Sequence, residues 1–259
     1  MIIKGKKDFL ILILVLIIVL QMVLIVSLRP KKIPVKPPKL DRVAIVIDDW
    51  GYNINTLQIL EGLNLPVNLA ILPNLAYSKQ TAKIAKDNHW EVILHLPLEP
   101  QESRHVRLEK DTVLVDMPQS EILDILNKAR LSVPGARGIS NHMGSKATTD
   151  IRTMSVIFGQ MKKDNLYFLD SFVSVNSVCY RLVRKIGVHY LRRDVFLDNK
   201  EDPNYIKGQI EELIDMAKEN GHALGIGHNH RVTLEVLREE LPRFRERGVE
   251  LVLASELLK

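Results

Sequence analysis

A run of five apolar residues, 43–47, leads directly into two adjacent carboxylates, Asp48 and Asp49. An unbroken run rich in β-branched residues predicts a strand that is buried on both faces, as in a parallel sheet. The Asp pair then lies at the carboxyl end of that strand, where parallel α/β folds place their functional groups. Asp residues are also common in turns, so the pair alone leaves a purely structural role open.

The same pattern recurs along the rest of the chain, where short apolar runs alternate with amphipathic helical segments. We predict seven or eight strands, each followed by a helix, and this regular alternation indicates a parallel sheet. So many units favour an α/β fold of the distorted (β/α)7-8 barrel type with parallel strands. No G-x-G-x-x-G follows the first strand, so a dinucleotide-binding fold has little support.

Three segments precede the predicted barrel domain, which we assign to residues 42–259. Residues 1–8 form a basic tail, residues 9–28 are almost wholly apolar, and residues 29–41 form a linker rich in proline and lysine. The apolar segment has the length of about 20 residues that a membrane-spanning helix needs. It is also longer than the core of a cleaved signal peptide, so we expect one transmembrane helix that acts as a signal anchor. Lysines on both sides leave its orientation open.

Charge and cysteine content exclude other classes of function. The net charge is +5, and much of the excess lies in the tail and the linker. The remainder has no basic cluster, so we expect no nucleic-acid partner. A single cysteine, Cys179, excludes an internal disulfide. The sequence contains no G-x-S-x-G elbow and gives no indication of the oligomeric state.

Polar side chains recur where the predicted strands end. They are Asp48, Asp49, His95, Asn141, His142, Asp170, Arg193, Asp194 and His228. In a (β/α) barrel the carboxyl ends of the strands meet on one face, so these side chains predict one shared site. Imidazoles combined with a carboxylate are typical of a zinc-type divalent metal site. A second carboxylate beside the ligands is suited to accept a proton from water.

Several motifs carry a family resemblance. In chain order they read V-A-I-V-I-D-D-W-G, H-L-P-L-E-P, N-H-M-G-S, F-L-D-S, R-D-V-F-L-D-N and G-I-G-H. Over residues 41–259 the chain resembles the divergent polysaccharide deacetylases, distant relatives of carbohydrate esterase family four. The resemblance implies a distorted (β/α) barrel that removes N-acetyl groups from a GlcNAc-type envelope polysaccharide by metal-dependent hydrolysis.

The resemblance also implies a ligand set for one divalent metal ion, with zinc as the expected metal. The ligands it implies are Asp49, His95, His142 and Glu99. Glu99 replaces the second histidine of the family's H-x-x-x-H motif. Either Glu99 remains a ligand or His142 from the next strand takes its place.

The remaining roles follow from the same resemblance. Asp48 is the expected base, His228 the expected acid, and Arg193 with Asp194 is expected to hold the base. The expected substrate contacts are Trp50, Asn141, Asp170 and His230. Trp50 would stack on a sugar ring or pack at the barrel rim, and Asp170 would support the site or contact a hydroxyl group.

Two other functions stay open at this stage: a different hydrolase, and a catalytically silent carbohydrate-binding or envelope-scaffold protein. The altered H-x-x-x-E motif motivates the silent alternative. The expected partners are an acetylated glycan and, through residues 9–28, the cytoplasmic membrane. We therefore expect the domain on the periplasmic or extracellular side of that membrane.

Overall fold

The computed structural model describes residues 5–27, 40–102 and 106–258. The chain divides into two compact units, Met1–Lys39 and Leu40–Lys259. In its described part, residues 5–27, the first unit contains one helix, α1 (Lys6–Ser27), and most of the apolar side chains of this helix are exposed.

No helix in the described ranges is long and apolar enough to cross a membrane. The structure therefore does not confirm the anchor that the sequence predicts over residues 9–28. Residues 28–39, which include most of the predicted linker, lie outside the described residues.

The second unit is built on one sheet of parallel strands. They are β1 (Asp41–Trp50), β2 (Asn68–Ile71), β3 (Glu91–Leu98), β4 (Gly138–Met143), β5 (Tyr167–Asp170), β6 (Tyr190–Arg192), β7 (Val195–Phe196), β8 (His222–His228) and β9 (Val249–Leu251). The strand order is β6-β5-β4-β3-β2-β1-β8-β7, and β9 pairs with the start of β1.

Helices connect most of these strands. They are α2 (Ser78–Asp87), α3 (Gln119–Ser132), α4 (Ile151–Lys163), α5 (Cys179–Ile186), α6 (Pro203–Asn220) and α7 (Arg231–Glu240). The prediction of a helix after every strand is wrong at two places. Only a short 3-10 turn, Leu57–Ile59, lies between β1 and β2, in a segment rich in Asn and Gly, which favour turns. Two residues alone connect β6 to β7.

The connection between β6 and β7 curls the sheet. These strands stand at opposite ends of the strand order, yet only Arg193 and Asp194 separate them in the chain. The Arg193 N–H donates to the carbonyl of Asp170 on β5, and the Asp194 N–H donates to the carbonyl of Leu224 on β8. The chain thus changes its partner from one edge of the sheet to the other. The prediction of an α/β fold with parallel strands is confirmed. The sheet forms a curled half-barrel.

Alternate residues of β1 belong to two different hydrophobic clusters. Val43, Ile45 and Ile47 pack in the larger cluster, which also contains the buried faces of the helices. Ala44 and Val46 pack in a smaller cluster of strand residues and the C-terminal segment, which we call the inner cluster. Successive side chains of a strand point to opposite faces, so even-numbered positions of β1 face the inside of the curled sheet.

The amino ends of the strands are covered by the C-terminal segment. The Ala254 N–H donates to Oδ1 of buried Asn68 at 2.8 Å, while Asn68 Nδ2 donates to the carbonyl of Ile45 at 2.7 Å. Ser255 likewise bonds through its N–H to Oε1 of Glu91, the first residue of β3. The C-terminal segment thus closes the inner cluster at the amino ends of the strands. The carboxyl ends of the strands therefore remain available for a functional site.

Candidate active site

The carboxyl end of β1 is irregular. The pairing register with β2 shifts between Ile47 and Trp50, and Asp49 has a φ of 65°. A positive φ at a residue other than glycine costs on the order of 1–3 kcal/mol and persists only when the surrounding structure holds it. Bulges of this kind redirect a side chain at the end of a strand. Here the redirected side chain is the Asp49 carboxylate.

Asp49 contacts two histidines from neighbouring strands. Its Oδ1 lies 2.9 Å from His142 Nδ1 on β4 and 3.3 Å from His95 Nε2 on β3. The two imidazole rings meet edge to face, with centroids 5.1 Å apart. One potential ligand atom from each of the three residues lies within 4.8 Å of the others. This donor set suits a divalent metal of the zinc type, because two imidazoles and one carboxylate leave coordination positions open.

Ser140 fixes the orientation of His95 and was not predicted. The two residues are register partners on β3 and β4, and Ser140 Oγ lies 2.7 Å from His95 Nδ1. With its proton on Nδ1, His95 donates to Ser140 and presents the Nε2 lone pair to a metal. Ser140 lies two residues before His142, on the same face of β4, so the alternation of the strand could have identified it.

Asp48 and Asp49 have opposite pKa shifts. Burial raises the pKa of Asp48, although the charge of His95 opposes this effect. Burial acts in the same direction on Asp49, but hydrogen bonds from His142 and His95 outweigh it and lower the pKa of that carboxyl. Two carboxylates whose pKa values are pushed apart are suited to different roles. Asp49 fits a permanently ionised ligand, and Asp48 fits a proton acceptor.

Protein groups satisfy only part of the hydrogen-bonding capacity of the Asp48 carboxylate. Its Oδ2 lies 3.6 Å from His95 Nε2, while its buried Oδ1 has no hydrogen-bond partner among the described residues. Buried polar atoms are rarely left unpaired, and each exception needs an explanation, such as a catalytic role or a bound water or ion. The unpaired oxygen fits a group that binds and activates water.

His228, at the end of β8, is held by an aspartate that was not assigned a role. Asp198 accepts hydrogen bonds from the His228 side chain at 2.8 Å and from its backbone N–H at 2.7 Å. Thr233 Oγ1 donates a further bond to Asp198. Burial lowers the pKa of His228, but the bond to Asp198 and the charges of Asp198 and Asp48 outweigh it and raise the pKa to about 9. His228 is therefore protonated at neutral pH.

Asp198 occurs in the motif R-D-V-F-L-D-N, whose first Asp, Asp194, was predicted to hold the base together with Arg193. The structure places Asp194 elsewhere, because its Oδ2 accepts the Leu224 N–H and fastens the β6–β7 connection to β8. Arg193 lies at the mouth of the half-barrel, where its guanidinium stacks 3.8 Å from the ring centroid of Phe196. The Phe196 ring in turn stacks on His228.

Glu99 is not brought into the ligand group. Its Oε1 forms a 2.7 Å ion pair with Lys146, and its Oε2 accepts the Val115 N–H at 2.8 Å. These bonds join three segments of the chain beside the site. The structure thus supports the alternative in which His142, rather than Glu99, replaces the second histidine of the motif.

Three residues that were predicted to contact the substrate are buried and instead pack in the core or form hydrogen bonds within the protein. Trp50 is fully buried in the larger hydrophobic cluster and cannot stack on a sugar. Asn141 Oδ1 accepts the Ser171 N–H, which joins β4 to the loop after β5. Asp170 accepts hydrogen bonds from Phe172, Ser177 and Tyr190. Of this predicted group only His230 is accessible: its side chain is 44% exposed, and its ring stacks on His228 with centroids 5.7 Å apart.

The sequence model of the divergent polysaccharide deacetylases matches residues 45–258. The chain belongs to this family. One similar protein is uncharacterized protein YibQ of Escherichia coli K12, which is 35% identical to this chain over 222 residues. That match covers 86% of this chain and 69% of YibQ. The resemblance inferred from the sequence motifs is therefore confirmed.

Solved structures share the fold of this family member. Protein ATU2773 of Agrobacterium tumefaciens C58 matches with a TM-score of 0.80 and 24% identity, over 86% of this chain and 92% of that one. A CE4 family pseudoenzyme, BA3943 of Bacillus anthracis, matches with a TM-score of 0.53 and 16% identity, over 86% and 66%. The catalytic domain of a peptidoglycan N-acetylglucosamine deacetylase from Eubacterium rectale matches with a TM-score of 0.51 and 12% identity, over 84% and 90%. At these identities the likeness concerns the fold alone.

The hydrogen bond between Asp198 and His228 generates a first prediction. The Asp198→Asn substitution removes the negative charge that stabilises the imidazolium, so the pKa of His228 should fall from about 9 to the ordinary value of about 6.5 or lower. Histidine NMR resonances followed against pH in metal-free protein measure this pKa. Glu201→Gln, beside His230, is the control and should leave the His228 pKa nearly unchanged.

The same bond predicts a pH dependence of stability. Because the folded-state pKa of His228 lies above the unfolded value, the stabilisation is fully present below about pH 6.5 and is lost as the pH rises through 9. Asp198→Asn should flatten this part of the stability profile. An unchanged profile together with an unchanged His228 pKa would show that the pair is not coupled.

Proposed function

We propose that this domain is a metal-dependent hydrolase that removes N-acetyl groups from a GlcNAc-type, peptidoglycan-like envelope polysaccharide. The observation that carries the proposal is the arrangement at one mouth of the half-barrel. A group of metal-ligand type (Asp49, His95 and His142), a buried carboxylate with an unpaired oxygen (Asp48) and a protonated imidazole (His228) occur together there.

The metal would be held by the Asp49 carboxylate, His95 Nε2 and His142 Nδ1, with Ser140 fixing the His95 ring. Zinc fits this donor set, and other divalent ions of similar ligand preference fit it as well. When bound, such an ion supplies a Lewis acid that polarises the acetyl carbonyl and favours ionisation of water.

The protein side chains would move the protons. Asp48 accepts a proton from the water that attacks the acetyl carbon, and the raised pKa of Asp48 makes it a better base. The new bond joins the water oxygen to that carbon, and the bond between carbon and nitrogen breaks. Protonated His228 donates its Nε2 proton to the departing nitrogen, since Asp198 holds its Nδ1. The products are acetate and a free amine on the sugar.

The family description and the fold support a glycan as the substrate. The sequence family is that of polysaccharide deacetylases, and the fold is shared with an enzyme named for peptidoglycan N-acetylglucosamine deacetylation. The same fold also occurs in the pseudoenzyme BA3943, so the fold by itself does not secure activity. A catalytically silent carbohydrate-binding or scaffold protein is therefore the second candidate, and activity measurements separate the two.

The first test of this proposal is metal content. Asp49→Ala and His95→Ala should each abolish stoichiometric zinc binding, measured by elemental analysis after dialysis, and leave the fold intact. Glu99→Gln is the matched control and should keep full occupancy, because Glu99 is bound to Lys146. Binding should weaken below about pH 6, where imidazoles protonate. Full metal in both ligand variants would contradict the assignment.

The second test concerns the proton-transfer residues. Asp48→Asn should retain metal and fold but lower the rate of acetate release from an acetylated chito-oligosaccharide by about 10²–10⁴-fold, because an amide cannot accept the proton. His228→Ala should cause a comparable loss of rate. The loss in the double variant should be smaller than the product of the two single fold-losses. His222→Ala, at the amino end of the same strand, serves as the control. Normal acetate release by Asp48→Asn with a lowered melting temperature would contradict the role of Asp48 as the base, and no acetate release by the unsubstituted, zinc-loaded protein would favour the scaffold function.

We further propose that the domain acts on the periplasmic or extracellular side of the cytoplasmic membrane. The apolar character of residues 9–28 and the envelope location of the proposed substrate support this location. A reporter that is active only outside the cytoplasm, fused after Lys259, should be active in cells. A stable but inactive fusion, together with activity of a cytoplasmic reporter at the same position, would contradict the proposal.

A further inference from the structure

Phe172, two residues after β5, has a conformation that bulky residues avoid. Its φ is 50°, in the left-handed region. Two hydrogen bonds hold it there: its N–H donates to Asp170 Oδ1 at 2.8 Å, and its carbonyl accepts from Arg193 Nη2 at 3.3 Å. Backbone strain that is held by surrounding groups is found mainly at functional sites.

Core packing does not explain this conformation. Among the described residues, the partly buried Phe172 ring packs against neither the larger nor the inner hydrophobic cluster. The ring instead faces the guanidinium of Arg192, whose central carbon lies 4.8 Å from the ring centroid. The strained backbone therefore places an aromatic ring beneath a cation.

These two side chains form part of a cavity of ≈ 330 Å³, which is lined by Phe172, Ser177, Tyr180, Tyr190 and Arg192. Tyr180 is 54% exposed, and its ring lies 5.6 Å from that of Tyr190. Aromatic faces of this kind suit the apolar C–H face of a sugar ring.

The cavity also carries the positive charge of Arg192. Arg192 is exposed, and no carboxylate in the described part of the chain lies within salt-bridge distance of it. A guanidinium group forms two parallel hydrogen bonds with a carboxylate, and stacking on Phe172 already restricts its orientation. The cavity therefore combines an aromatic surface with a carboxylate-binding group.

The cavity adjoins the candidate active site through Arg193. That residue bonds to the Phe172 carbonyl and stacks on Phe196, whose ring stacks on His228 with centroids 5.9 Å apart. We propose that the cavity is a glycan subsite for a pyranose that carries a carboxylate, next to the sugar from which the acetyl group is removed. This inference rests on the proposed function, since it specifies the substrate of the same site.

Binding of two disaccharides tests the subsite. The probes are N-acetylglucosaminyl-N-acetylmuramic acid, which carries a carboxylate, and neutral N,N′-diacetylchitobiose, titrated into the full chain with Asp48→Asn to prevent turnover. Arg192→Gln should raise the Kd for the acidic disaccharide about tenfold and leave the Kd for the neutral one nearly unchanged. Arg181→Gln, on α5 but not lining the cavity, should change neither. An unchanged Kd, or equal weakening for both sugars, would overturn the proposal.

A second variant separates binding from structure. Asn tolerates the left-handed conformation, so Phe172→Asn should keep or raise the melting temperature while it weakens the binding of both disaccharides. A lowered melting temperature with unchanged binding would show that Phe172 serves only the fold and would overturn the subsite.

The outcomes also distinguish this inference from the proposed function. Selective loss of acidic-sugar binding in Arg192→Gln, together with no acetate release from the zinc-loaded protein that retains Asp48, would retain the subsite and reject the hydrolase. Acetate release with no effect of Arg192→Gln on binding would retain the hydrolase and reject the subsite.

Discussion

The irregular end of β1 is the constraint on which the candidate site depends. In a regular strand, Asp48 and Asp49 would point to opposite faces of the sheet, and only one could reach the inside. The structure nevertheless places both carboxylates within 3.6 Å of His95 Nε2. The register shift after Ile47 and the positive φ of Asp49 make this possible. Local strain in the backbone thus brings the proposed ligand and the proposed base to the same imidazole.

The charges at this mouth are arranged in two connected groups. Two carboxylates face His95 and His142 on one side, and Asp198 faces His228 on the other. The carboxylates next to imidazoles with direct hydrogen bonds have lowered pKa values, while Asp48, which is buried without such a bond, has a raised one. Hydrogen bonding and burial therefore separate the protonation behaviour of carboxylates that lie close together. The same residue type can hold a cation, accept a proton or orient an acid.

The sequence predicted the parallel α/β architecture and several residues that the structure brings together at the candidate site, because apolar runs and strand ends can be recognised without three-dimensional information. It assigned strand-end residues without using their alternation. Asn141 and Asp170 each lie two residues after a member of the larger cluster, so alternation places them on its side of the sheet, whereas Trp50 leaves the face of Asp48 only because of the β1 bulge. The β1 bulge could not be predicted, since it depends on pairing with β2. Ser140 and Asp198 were missed for a related reason, because their roles depend on contacts across strands.

Glu99 shows a different limit of sequence reasoning. Its position in the H-x-x-x-E motif made it a plausible ligand, and carboxylates do bind zinc. Lys146, 47 residues later in the chain, pairs with it instead. A motif fixes the spacing of two residues along the chain but not the competing partners that folding brings to them.

Three residues that were predicted to act at the site instead hold one short segment beside it. Asn141 accepts the Ser171 N–H, Asp170 accepts the Phe172 N–H, and Arg193 donates to both carbonyls of this dipeptide. The backbone groups of buried Ser171 that these side chains bind would otherwise need other partners. Polar residues at strand ends can thus serve a site indirectly, by fixing the conformation of the loop that borders it. In this protein the loop so fixed carries Phe172, whose backbone has a positive φ. Side chains from three other positions hold this loop, as expected for a conformation that the local sequence would not adopt by itself.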